Sequence, residues 1–413
     1  MSQTTCPTLY PSVEEFRNFR SYLQEISKYF EEGLVKVVPP SGCQFARDDN
    51  YDPQYLGMEI EHYYEQRTKC ATDQFDKIMK GIFQADIKVH PKLTLQDFIK
   101  LQKESEIKEL PSAKGDKRDP NIQGDRWKER EKLFWNSLGN PKKANAIYGG
   151  DISCTLFGDD DAFSWNLNKL DSILQTVGSG MGGVTNSMSY IGQFRSFFAI
   201  HVEDYDLYSI NYLHCGQPKS WYSIPPSQRS LFEALAHRSF PHEMQACSEF
   251  IRHKNLLFSP EVLKEAGIKL HTCVQLPGEY IVTMPGAFHF GFNHGYNIAE
   301  ATNFATSRWF DIGRSASQCH CEEGKVNIAS TVLNRMETLW LRRRNMTNMS
   351  PVNWPNLRMR CSCDQVDKYI PNKTKNSGYW EPGSGSGSHQ KKIFRCCACG
   401  LYCHWECIFG SQN

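Results

Sequence analysis

The sequence lacks a charge imbalance, a long apolar run and a recognisable secretion signal. Its 47 Lys and Arg residues nearly match its 46 Asp and Glu residues, which leaves a formal net charge of +1. This balance argues against a protein built mainly to neutralise phosphates, so we expect no sequence-specific binding of nucleic acid. No stretch of about 18 apolar residues occurs, so we expect no membrane span. The opening segment, MSQTTCPTLYPS, has neither a basic region nor an apolar core, and we expect no secretory leader.

Cysteine is abundant instead, with 16 residues in a chain of 413. Outside the secretory pathway, cysteines are reduced thiols or metal ligands rather than disulfide partners. More than half of them lie between positions 319 and 407. The distribution therefore favours metal binding in the C-terminal part of the chain.

Basic residues occur in three short clusters, at 114–118, 126–132 and 341–345. Each cluster is typical of a solvated face or a helix end. One of them can alternatively serve as a nuclear import signal, although that pattern is common by chance.

The N-terminal segment has the periodicity of a helix. Ser12 and Glu15 form a capping-box pair, and apolar residues recur at three- and four-residue steps as far as position 30. Gly33 stands where such a helix should end. A short strand is predicted at 34–38.

The next part of the chain looks mostly helical over residues 75–110, with Thr94 as a helix cap, and a polar loop follows at 111–125. From position 146 the pattern changes to short β-runs separated by Gly and Pro, interrupted by a helical insert at 227–266. Helical periodicity returns at 324–346. Many short strands with turns between them predict a sandwich or barrel, so the fold class is mainly β with helical additions (α+β).

The segment HVEDYDLYSINYLHCGQPKSWYSIPP, residues 201–226, carries the first chemical signal. Side chains two positions apart on a strand share one face, so His201 and Glu203 would present an imidazole and a carboxylate side by side. Two His and one carboxylate are the ligand set of non-haem Fe(II) oxygenases. The second His would come from MPGAFHFGFNHG, as His289 or His294.

Lys219 strengthens this interpretation. A lysine flanked by Trp221 and Tyr222 in a buried strand is costly without an anionic partner. An oxygenase that uses 2-oxoglutarate needs such a cation to hold the distal carboxylate of its cosubstrate.

Together, HVEDYDLYSINYLHCGQPKSWYSIPP and FHFGFNHGYNIAEATNFAT resemble the JmjC domain of histone lysine demethylases. The segment LYPSVEEFRNFRSYLQEISKYFEEGLVKVVPP resembles the JmjN segment of the subfamily that acts on trimethylated lysine 9 and lysine 36 of histone H3. The resemblance extends over residues 8 to 345 and implies a double-stranded β-helix core, a cupin-like jelly roll. It divides the chain into JmjN (8–50), a mixed helical linker region (51–154), the JmjC catalytic β-helix (155–321) and a helical segment (322–355), followed by a zinc-binding tail (356–413).

The resemblance also implies the roles of individual residues. It assigns His201, Glu203 and His289 as Fe(II) ligands, in preference to His294. It implies that four residues bind 2-oxoglutarate: Tyr148, Phe198, Asn211 and Lys219. It implies that the methyl-lysine pocket is lined by Gly183, Tyr190, Glu203, Ala301 and Asn303. Ala301 stands where a Ser is common, and Met188 stands where relatives have an aromatic residue, so the preferred methylation state can differ.

The implied reaction is oxidative demethylation of tri- and dimethyl-lysine on the histone H3 tail in chromatin, which implies a nuclear protein. Decarboxylation of 2-oxoglutarate yields succinate and CO2, and the oxidised methyl group leaves as formaldehyde. Two alternatives remain: a 2-oxoglutarate-dependent protein hydroxylase and a catalytically silent JmjC module that binds chromatin. The complete ligand set and Lys219 argue against the silent module. A sugar-binding cupin barrel accounts for neither the JmjN segment nor the zinc ligands.

A separate group of Cys and His residues predicts a structural Zn(II) site. Cys247 and His253 lie in the helical insert, and Cys319 and Cys321 follow the last predicted strand of the core. Three Cys and one His are ligands of closed structural zinc sites. The resemblance implies the same four positions.

The tail at 356–413 contains part of the Cys and His pattern of a PHD finger. Cys361, Cys363, His404 and Cys407 would share one zinc ion, whereas Cys396 and Cys399 would need a further Cys pair that the 413 residues do not supply. We therefore expect a truncated PHD-like tail. Its segment GSGSGS, at 383–388, has the composition of an engineered flexible linker.

Overall fold

The computed structural model describes residues 4–43, 59–101, 120–140, 145–158, 164–174, 183–319, 321, 333–334, 336–338, 358–361 and 405–408. The chain divides into two compact units. The first comprises residues 1–172 and 181–327, and the second comprises residues 173–180 and 328–413. No helix within the described ranges is both long and apolar enough to cross a membrane.

The predicted N-terminal helix is present but broken into pieces. Its parts are α1 (Val13–Phe16), α2 (Phe19–Ile26) and a 3-10 helix (Ser27–Glu32). The Ser12–Glu15 capping box is confirmed, because the Ser12 amide donates to Glu15 at 2.8 Å and the Glu15 amide donates to Ser12 Oγ at 3.3 Å. Asn18 caps α2 separately, since its side chain accepts from the Ser21 amide at 3.0 Å. Gly33 ends the segment with a φ of 75°.

Buried aromatic residues fix these helices on the core. The Phe16 ring stacks on Trp165 with centroids 4.6 Å apart, and Phe19 meets the same indole edge-on at 4.9 Å. Burial of such rings stabilises the attachment more than the short helices could by themselves.

Fifteen strands of the first unit form two sheets, as the alternation of short β-runs predicted. In chain order they are β1 (Thr4–Thr5), β2 (Thr8–Leu9), β3 (Leu34–Val37), β4 (Glu59–Thr72), β5 (Ile78–Thr94), β6 (Asn145–Ile152), β7 (Met188–Gly192), β8 (Phe197–His201), β9 (Tyr208–Gly216), β10 (Lys219–Ile224), β11 (Leu256–Phe258), β12 (His271–Gln275), β13 (Tyr280–Thr283), β14 (Phe288–Asn293) and β15 (Asn297–Phe304). The smaller sheet has the order β1-β12-β10-β14-β8, and the larger has the order β11-β5-β4-β6-β7-β15-β9-β13-β3-β2. Mostly antiparallel pairing in two sheets is the arrangement of a cupin-like jelly roll.

The prediction of helix across residues 75–110 is wrong for most of that range. Residues 78–94 form β5, which pairs with β4 as a long antiparallel hairpin, and helical backbone begins only at residues 95–101. Gly81 has a φ of 78°, which a helix does not accommodate. Pairing with β4 has overridden a weak local periodicity. Thr94 does cap the helix that follows, since its Oγ1 accepts from the Asp97 amide at 3.1 Å.

The region 51–154 is therefore less helical than predicted. It contributes β4, β5 and β6 to the large sheet, together with α3 (Pro120–Ser137). Because β6 pairs with both β4 and β7, the described strands of this region are continuous with the rest of the large sheet.

The predicted helical insert is confirmed over most of its length, with α4 (Arg229–Ser239), α5 (Pro241–Ala246), a 3-10 turn (Phe250–His253) and α6 (Pro260–Glu265) around β11. Its apolar side chains, Phe232 among them, share one core cluster with Phe288 and Phe290 of β14. One further helix, α7 (Trp309–Ser315), follows the last core strand. The insert is thus anchored directly on a strand of the small sheet.

The second unit contains a two-stranded antiparallel sheet, β16 (Arg358–Cys361) with β17 (Trp405–Ile408). Residues 333–334 and 336–338 have helical backbone, and the rest of the helix predicted at 324–346 lies outside the described residues. Cys363 and His404 also lie outside them. The tail zinc site therefore stays a prediction.

Candidate metal centres

The first candidate centre is formed by His201, Glu203 and His289. Strand β14 lies between β8 and β10 and pairs with both, which places His289 directly opposite His201. The Nε2 atom of His289 is 3.3 Å from Glu203 Oε1, and the Nε2 atom of His201 is 3.9 Å from the same oxygen. One potential ligand atom from each of the three residues lies within 4.8 Å of the other two.

Glu203 reaches this centre from a turn rather than from a strand. Strand β8 ends at His201, and Glu203 begins the 3-10 turn Asp204–Asp206. The expected alternation along one strand is therefore incorrect in detail. The turn, and not the pleat of the strand, directs the carboxylate at the two imidazoles.

Backbone carbonyls orient both imidazoles. His201 Nδ1 lies 2.7 Å from the Ala199 carbonyl oxygen, and His289 Nδ1 lies 3.1 Å from the Ala287 carbonyl oxygen. A proton on each Nδ1 is then donated to a carbonyl, which leaves the two Nε2 lone pairs facing Glu203. The residues offer two neutral nitrogens and one oxygen anion.

Charge in the centre follows the same pattern. Burial first, and then the nearby charges of His289 and Lys254, lower the pKa of His201 to about 3. Burial opposes ionisation of Glu203, but the hydrogen bond and charge of His289, with the charges of His201 and Lys254, hold the pKa of Glu203 well below its usual range. The centre is suited to a divalent cation because Glu203 is ionised while His201 is neutral.

Lys219 lies in the small sheet two strands away from His201. Only 1% of the residue is exposed, and its Nζ donates to Asn293 Oδ1 at 2.6 Å. The ammonium lies 5.8 Å from the ring centroid of Tyr148 and 5.6 Å from that of Phe198. Burial lowers the pKa of Lys219 to about 7. The structure thus brings together three of the four residues predicted to bind the cosubstrate.

The fourth, Asn211, is on β9 in the large sheet. Its backbone carbonyl accepts from Gln275 Nε2 at 3.3 Å, and Gln275 pairs with Lys219 across β12 and β10. The side-chain Oδ1 of Asn211 is buried and accepts no hydrogen bond from the described residues. Such an atom is costly unless a ligand or water satisfies it.

The residues predicted to line the methyl-lysine pocket include members of β7 and β15 and Gly183 in a turn. The Asn303 amide donates to the Gly183 carbonyl at 2.7 Å, and Gly183 has a φ of 73°. Ala301 stands opposite Met188 of β7 and opposite Asn211 of β9. Burial first, and then the charges of Asp151, Tyr148 and Glu203, raise the pKa of Tyr190 well above its usual range.

Two residues near this pocket were not identified from the sequence. Asp151, with a φ of 55°, accepts from Tyr190 at 3.1 Å through one carboxylate oxygen and from Tyr64 at 3.0 Å through the other. Lys254 influences both His201 and Glu203 by its charge. Only the unusual Gly149-Gly150-Asp151 sequence, which lies within β6, could have drawn attention to Asp151.

The second candidate centre is the zinc cluster, defined as Cys247, His253, Cys319 and Cys321. Their potential ligand atoms all lie within 4.8 Å of one another. The sulfurs of Cys247 and Cys319 are 3.5 Å apart, and His253 Nε2 is 3.3 Å from Cys319 Sγ. The structure therefore brings together all four residues that the sequence predicted as a set.

His294 and Cys215 belong to neither candidate metal centre and have structural contacts instead. His294 Nε2 lies 2.7 Å from Ser220 Oγ, so this nitrogen has a hydrogen-bond partner rather than a role as a metal ligand. Cys215 is buried in an apolar cluster with Tyr296 and Ile298, as a packing residue.

Comparison with known proteins agrees with this geometry. Residues 188–304 match the family model described as "JmjC domain, hydroxylase", and residues 7–39 match the model described as "jmjN domain". The two matches assign a JmjC domain to residues 188–304 and a jmjN domain to residues 7–39, in agreement with the sheet-rich fold.

The chain is also similar in sequence to proteins named as lysine-specific demethylases. It is 36% identical over 373 residues to the human "Probable lysine-specific demethylase 4F", covering 85% of this chain and 54% of the relative. It is 36% identical to the mouse "Lysine-specific demethylase 4B", covering 80% and 28%, and 35% identical to the rat "Lysine-specific demethylase 4D", covering 79% and 60%. The chain thus spans only part of the length of each of these relatives.

Proposed function

We propose that this chain is an Fe(II)- and 2-oxoglutarate-dependent dioxygenase that demethylates tri- and dimethyl-lysine on the histone H3 tail, at lysine 9, lysine 36 or both. The observation that carries the proposal is the convergence of His201, Glu203 and His289 at the small sheet that also holds the buried Lys219. The relatives named above as lysine-specific demethylases support the choice of substrate.

The residues present fit both the metal and the cosubstrate. Two neutral imidazole nitrogens and one carboxylate suit Fe(II) and leave positions for other ligands. The buried Lys219 has no carboxylate partner among the described residues, and Asn211 Oδ1 has no hydrogen bond there. A dicarboxylate or its bound water would satisfy both requirements. When bound, Fe(II) and 2-oxoglutarate supply oxidative chemistry that yields succinate and CO2.

The protein residues have three tasks in this proposal. His201, Glu203 and His289 hold the metal, while Lys219 and Tyr148, beside Phe198 and Asn211, hold the cosubstrate. Tyr190, oriented by Asp151, lines the methyl-lysine pocket with Gly183, Ala301 and Asn303. Burial of these groups excludes water from the oxidation of an N-methyl group, which is released as formaldehyde.

The oxygen-rich lining suits a methylated ammonium. Backbone carbonyls, the Tyr190 hydroxyl and the Glu203 carboxylate can accept weak C–H···O hydrogen bonds from the polarised methyl groups of such a cation. Ala301 removes one hydroxyl where a Ser is common, and Met188 stands opposite it. We assign the preference between methylation states to this pair of residues.

The zinc cluster is proposed to hold a structural Zn(II) ion, because three thiolates and one imidazole leave no position for a substrate. It would join the insert at 247–253 to the chain at 319–321. Chromatin is the proposed partner and the nucleus the proposed location, as the substrate requires.

The test is to incubate the protein with H3 peptides trimethylated at lysine 9 or lysine 36, with Fe(II), 2-oxoglutarate and ascorbate, and to follow peptide mass. Stepwise loss of methyl mass is the expected result. A gain of oxygen mass would instead support the protein hydroxylase, which the "JmjC domain, hydroxylase" match also allows. No change in either mass, with the His201→Ala variant behaving identically, would leave only the silent chromatin-binding module.

A further inference from the structure

The turn that carries Glu203 has a strained backbone. Tyr205 has a φ of 52° and Asp206 a φ of 49°, so two successive residues with full side chains adopt the left-handed conformation. Residues other than Gly, Asn and Asp adopt this region at an energetic cost, and such strain persists only where the surroundings enforce it. The side chains that enforce it therefore also fix the position of the Glu203 carboxylate.

Arg252 is the central contact of this turn. Its buried guanidinium donates from Nη2 to Asp206 Oδ1 at 2.8 Å and from Nη1 to the backbone carbonyl of Glu203 at 3.2 Å. The Asp206 amide donates to the same carbonyl at 2.9 Å. One planar cation thus holds both the metal-binding residue and Asp206, which directly follows the strained Tyr205.

Two more contacts complete the turn from its other sides. Arg229 Nη1 donates to the second oxygen of Asp206 at 2.5 Å, and Trp309 Nε1 donates to the Tyr205 carbonyl at 2.9 Å. Neither Arg229 nor Trp309 is adjacent in sequence to a predicted metal ligand. Arg252 differs from both because it directly precedes His253.

Arg252 is tied to the zinc cluster from two chain segments. On the first segment, Glu249 lies two residues after Cys247, and its Oε2 is 3.4 Å from Arg252 Nε. On the second, Ser317 lies two residues before Cys319, and its Oγ donates to the same Glu249 oxygen at 2.7 Å. The chain of contacts from Ser317 through Glu249 and Arg252 to the Glu203 carbonyl is continuous.

We propose that Arg252 is a positioning residue for Glu203, and that through it the zinc cluster sets the affinity of the His201, Glu203 and His289 centre for a divalent metal. The inference rests on the two metal centres of the proposed function. Binding of zinc fixes the segments that hold Arg252 and Glu249, and Arg252 then fixes the Glu203 backbone from which the carboxylate reaches the metal. Loss of zinc releases Arg252, the turn relaxes, and the first centre weakens.

Mn(II) is the probe for the first centre, because it prefers nitrogen and oxygen ligands to the thiolates of the zinc cluster. Free Mn(II) is followed by electron paramagnetic resonance in full-length protein, and zinc content is measured in the same sample. In zinc-loaded protein, Arg252→Lys should weaken Mn(II) binding at least tenfold, since a single ammonium cannot replace the fork of the guanidinium. Arg229→Lys, which contacts Asp206 but not Glu203, should weaken it by a smaller factor.

The zinc arm uses Cys321→Ser, which lowers zinc occupancy without touching the contact chain. Zinc-depleted protein should bind Mn(II) more weakly than the zinc-loaded form, and Arg252→Lys should add little further loss in that background. Such non-additivity is the signature of two changes acting through one contact. Independent, additive effects, or unchanged Mn(II) affinity in zinc-loaded Arg252→Lys, would overturn the proposal.

Two further variants keep the test decisive if Arg252→Lys fails to fold. Glu249→Gln and Ser317→Ala break the contact chain on the zinc side only, and each should weaken Mn(II) binding while zinc content stays unchanged. Unchanged affinity in both would overturn the inference. Equal Mn(II) binding by wild type and His201→Ala would overturn the first metal centre itself, and the proposed function with it.

Discussion

Lys219 donates a hydrogen bond of 2.6 Å to Asn293 across the pair β10 and β14, and no described side chain pairs it with a negative charge. Asn293 in turn donates to Ser196 Oγ at 2.8 Å, so its amide oxygen is fixed towards the lysine. The sheet has thus positioned a cation at a cost. Burial lowers the pKa of Lys219 from 10.5 to about 7, which corresponds to a cost for the charged form on the order of 5 kcal/mol below pH 7.

This relationship predicts a pH dependence of cosubstrate binding. 2-Oxoglutarate requires the charged ammonium, and Lys219 loses its proton in the free protein as the pH rises through about 7. The dissociation constant for 2-oxoglutarate should therefore rise about tenfold per pH unit above 7, until the pKa of the bound form is reached. Calorimetric titration between pH 6 and 9, with Mn(II) in place of Fe(II), measures this dissociation constant. The same titration should show on the order of one proton taken up per binding event at high pH. A flat profile would contradict the role of Lys219.

The same residue predicts how the ligand-free protein responds to substitution. Lys219→Met should lower 2-oxoglutarate affinity by about two orders of magnitude or more, because an anion would be buried without a partner. The ligand-free protein should not lose stability by more than about 1 kcal/mol and can gain it, since methionine needs no hydration. Its melting temperature and cosubstrate affinity are both measured. Lys28→Met, which alters an exposed surface pair, serves as the control for affinity.

Stability of the ligand-free protein should also depend on pH through Lys219. The folded pKa is lowered relative to the unfolded value, so the unfolded chain binds more protons between pH 7 and 10.5. Stability contributed by this residue therefore rises with pH across that window. Urea unfolding of wild type and Lys219→Met at pH 7 and 9 isolates this contribution as the difference between the two proteins. An equal response of both proteins would show that Lys219 is not buried as described.

Substitution of Glu300 should lower the free energy of unfolding by a large amount. It is fully buried and accepts from His214 at 2.8 Å, from Ser187 at 2.5 Å and from the Leu156 amide at 3.0 Å. Glu300→Gln should cost about 3 kcal/mol, because it leaves the partner groups of a buried carboxylate imperfectly satisfied. The free energy of unfolding in urea checks this. Glu14→Gln, at an exposed pair with Arg17, should change it by less than about 0.5 kcal/mol.

The zinc content of the protein should depend on the four residues of the zinc cluster. Cys319→Ser should remove one equivalent of zinc per chain, since its sulfur lies 3.5 Å from the Cys247 sulfur and 3.3 Å from His253 Nε2. The melting temperature should fall, because the ion no longer joins residues 247–253 to residues 319–321. Elemental analysis measures the zinc. Cys215→Ser, a buried cysteine outside the cluster, should leave the zinc content unchanged, and an equal loss there would contradict the assignment.

Local patterns were enough to predict the elements with short-range signals. The Ser12 capping box, the Thr94 cap and the alternating runs from position 146 depend on neighbours within a few residues, and all are present. The hairpin strand β5 was predicted as helix because its own periodicity was weakly helical and the preceding segment, which forms its partner β4, was not recognised as a strand. Pairing of that kind is decided by the sheet and not by the segment.

The candidate site divides in the same way. His201, Glu203, His289 and the zinc cluster carry residue types rare enough to be found in a sequence. Arg252, Asp206 and Asp151 are ordinary charged residues whose importance comes from long-range contacts and from a positive φ at Asp206 and Asp151. No spacing rule in one sequence reveals such contacts, because they exist only once the strands have been brought together.

The central claim is that the three-ligand centre and Lys219 couple oxidation of 2-oxoglutarate to removal of a lysine methyl group. Its most direct test measures succinate and formaldehyde together, from wild type and Glu203→Gln, with a trimethylated histone H3 peptide and Fe(II). We expect wild type to form equal amounts of succinate and formaldehyde in a reaction that depends on the peptide. We expect neither product from Glu203→Gln. Succinate without formaldehyde in the presence of the peptide, or formaldehyde from the variant at the wild-type rate, would contradict it.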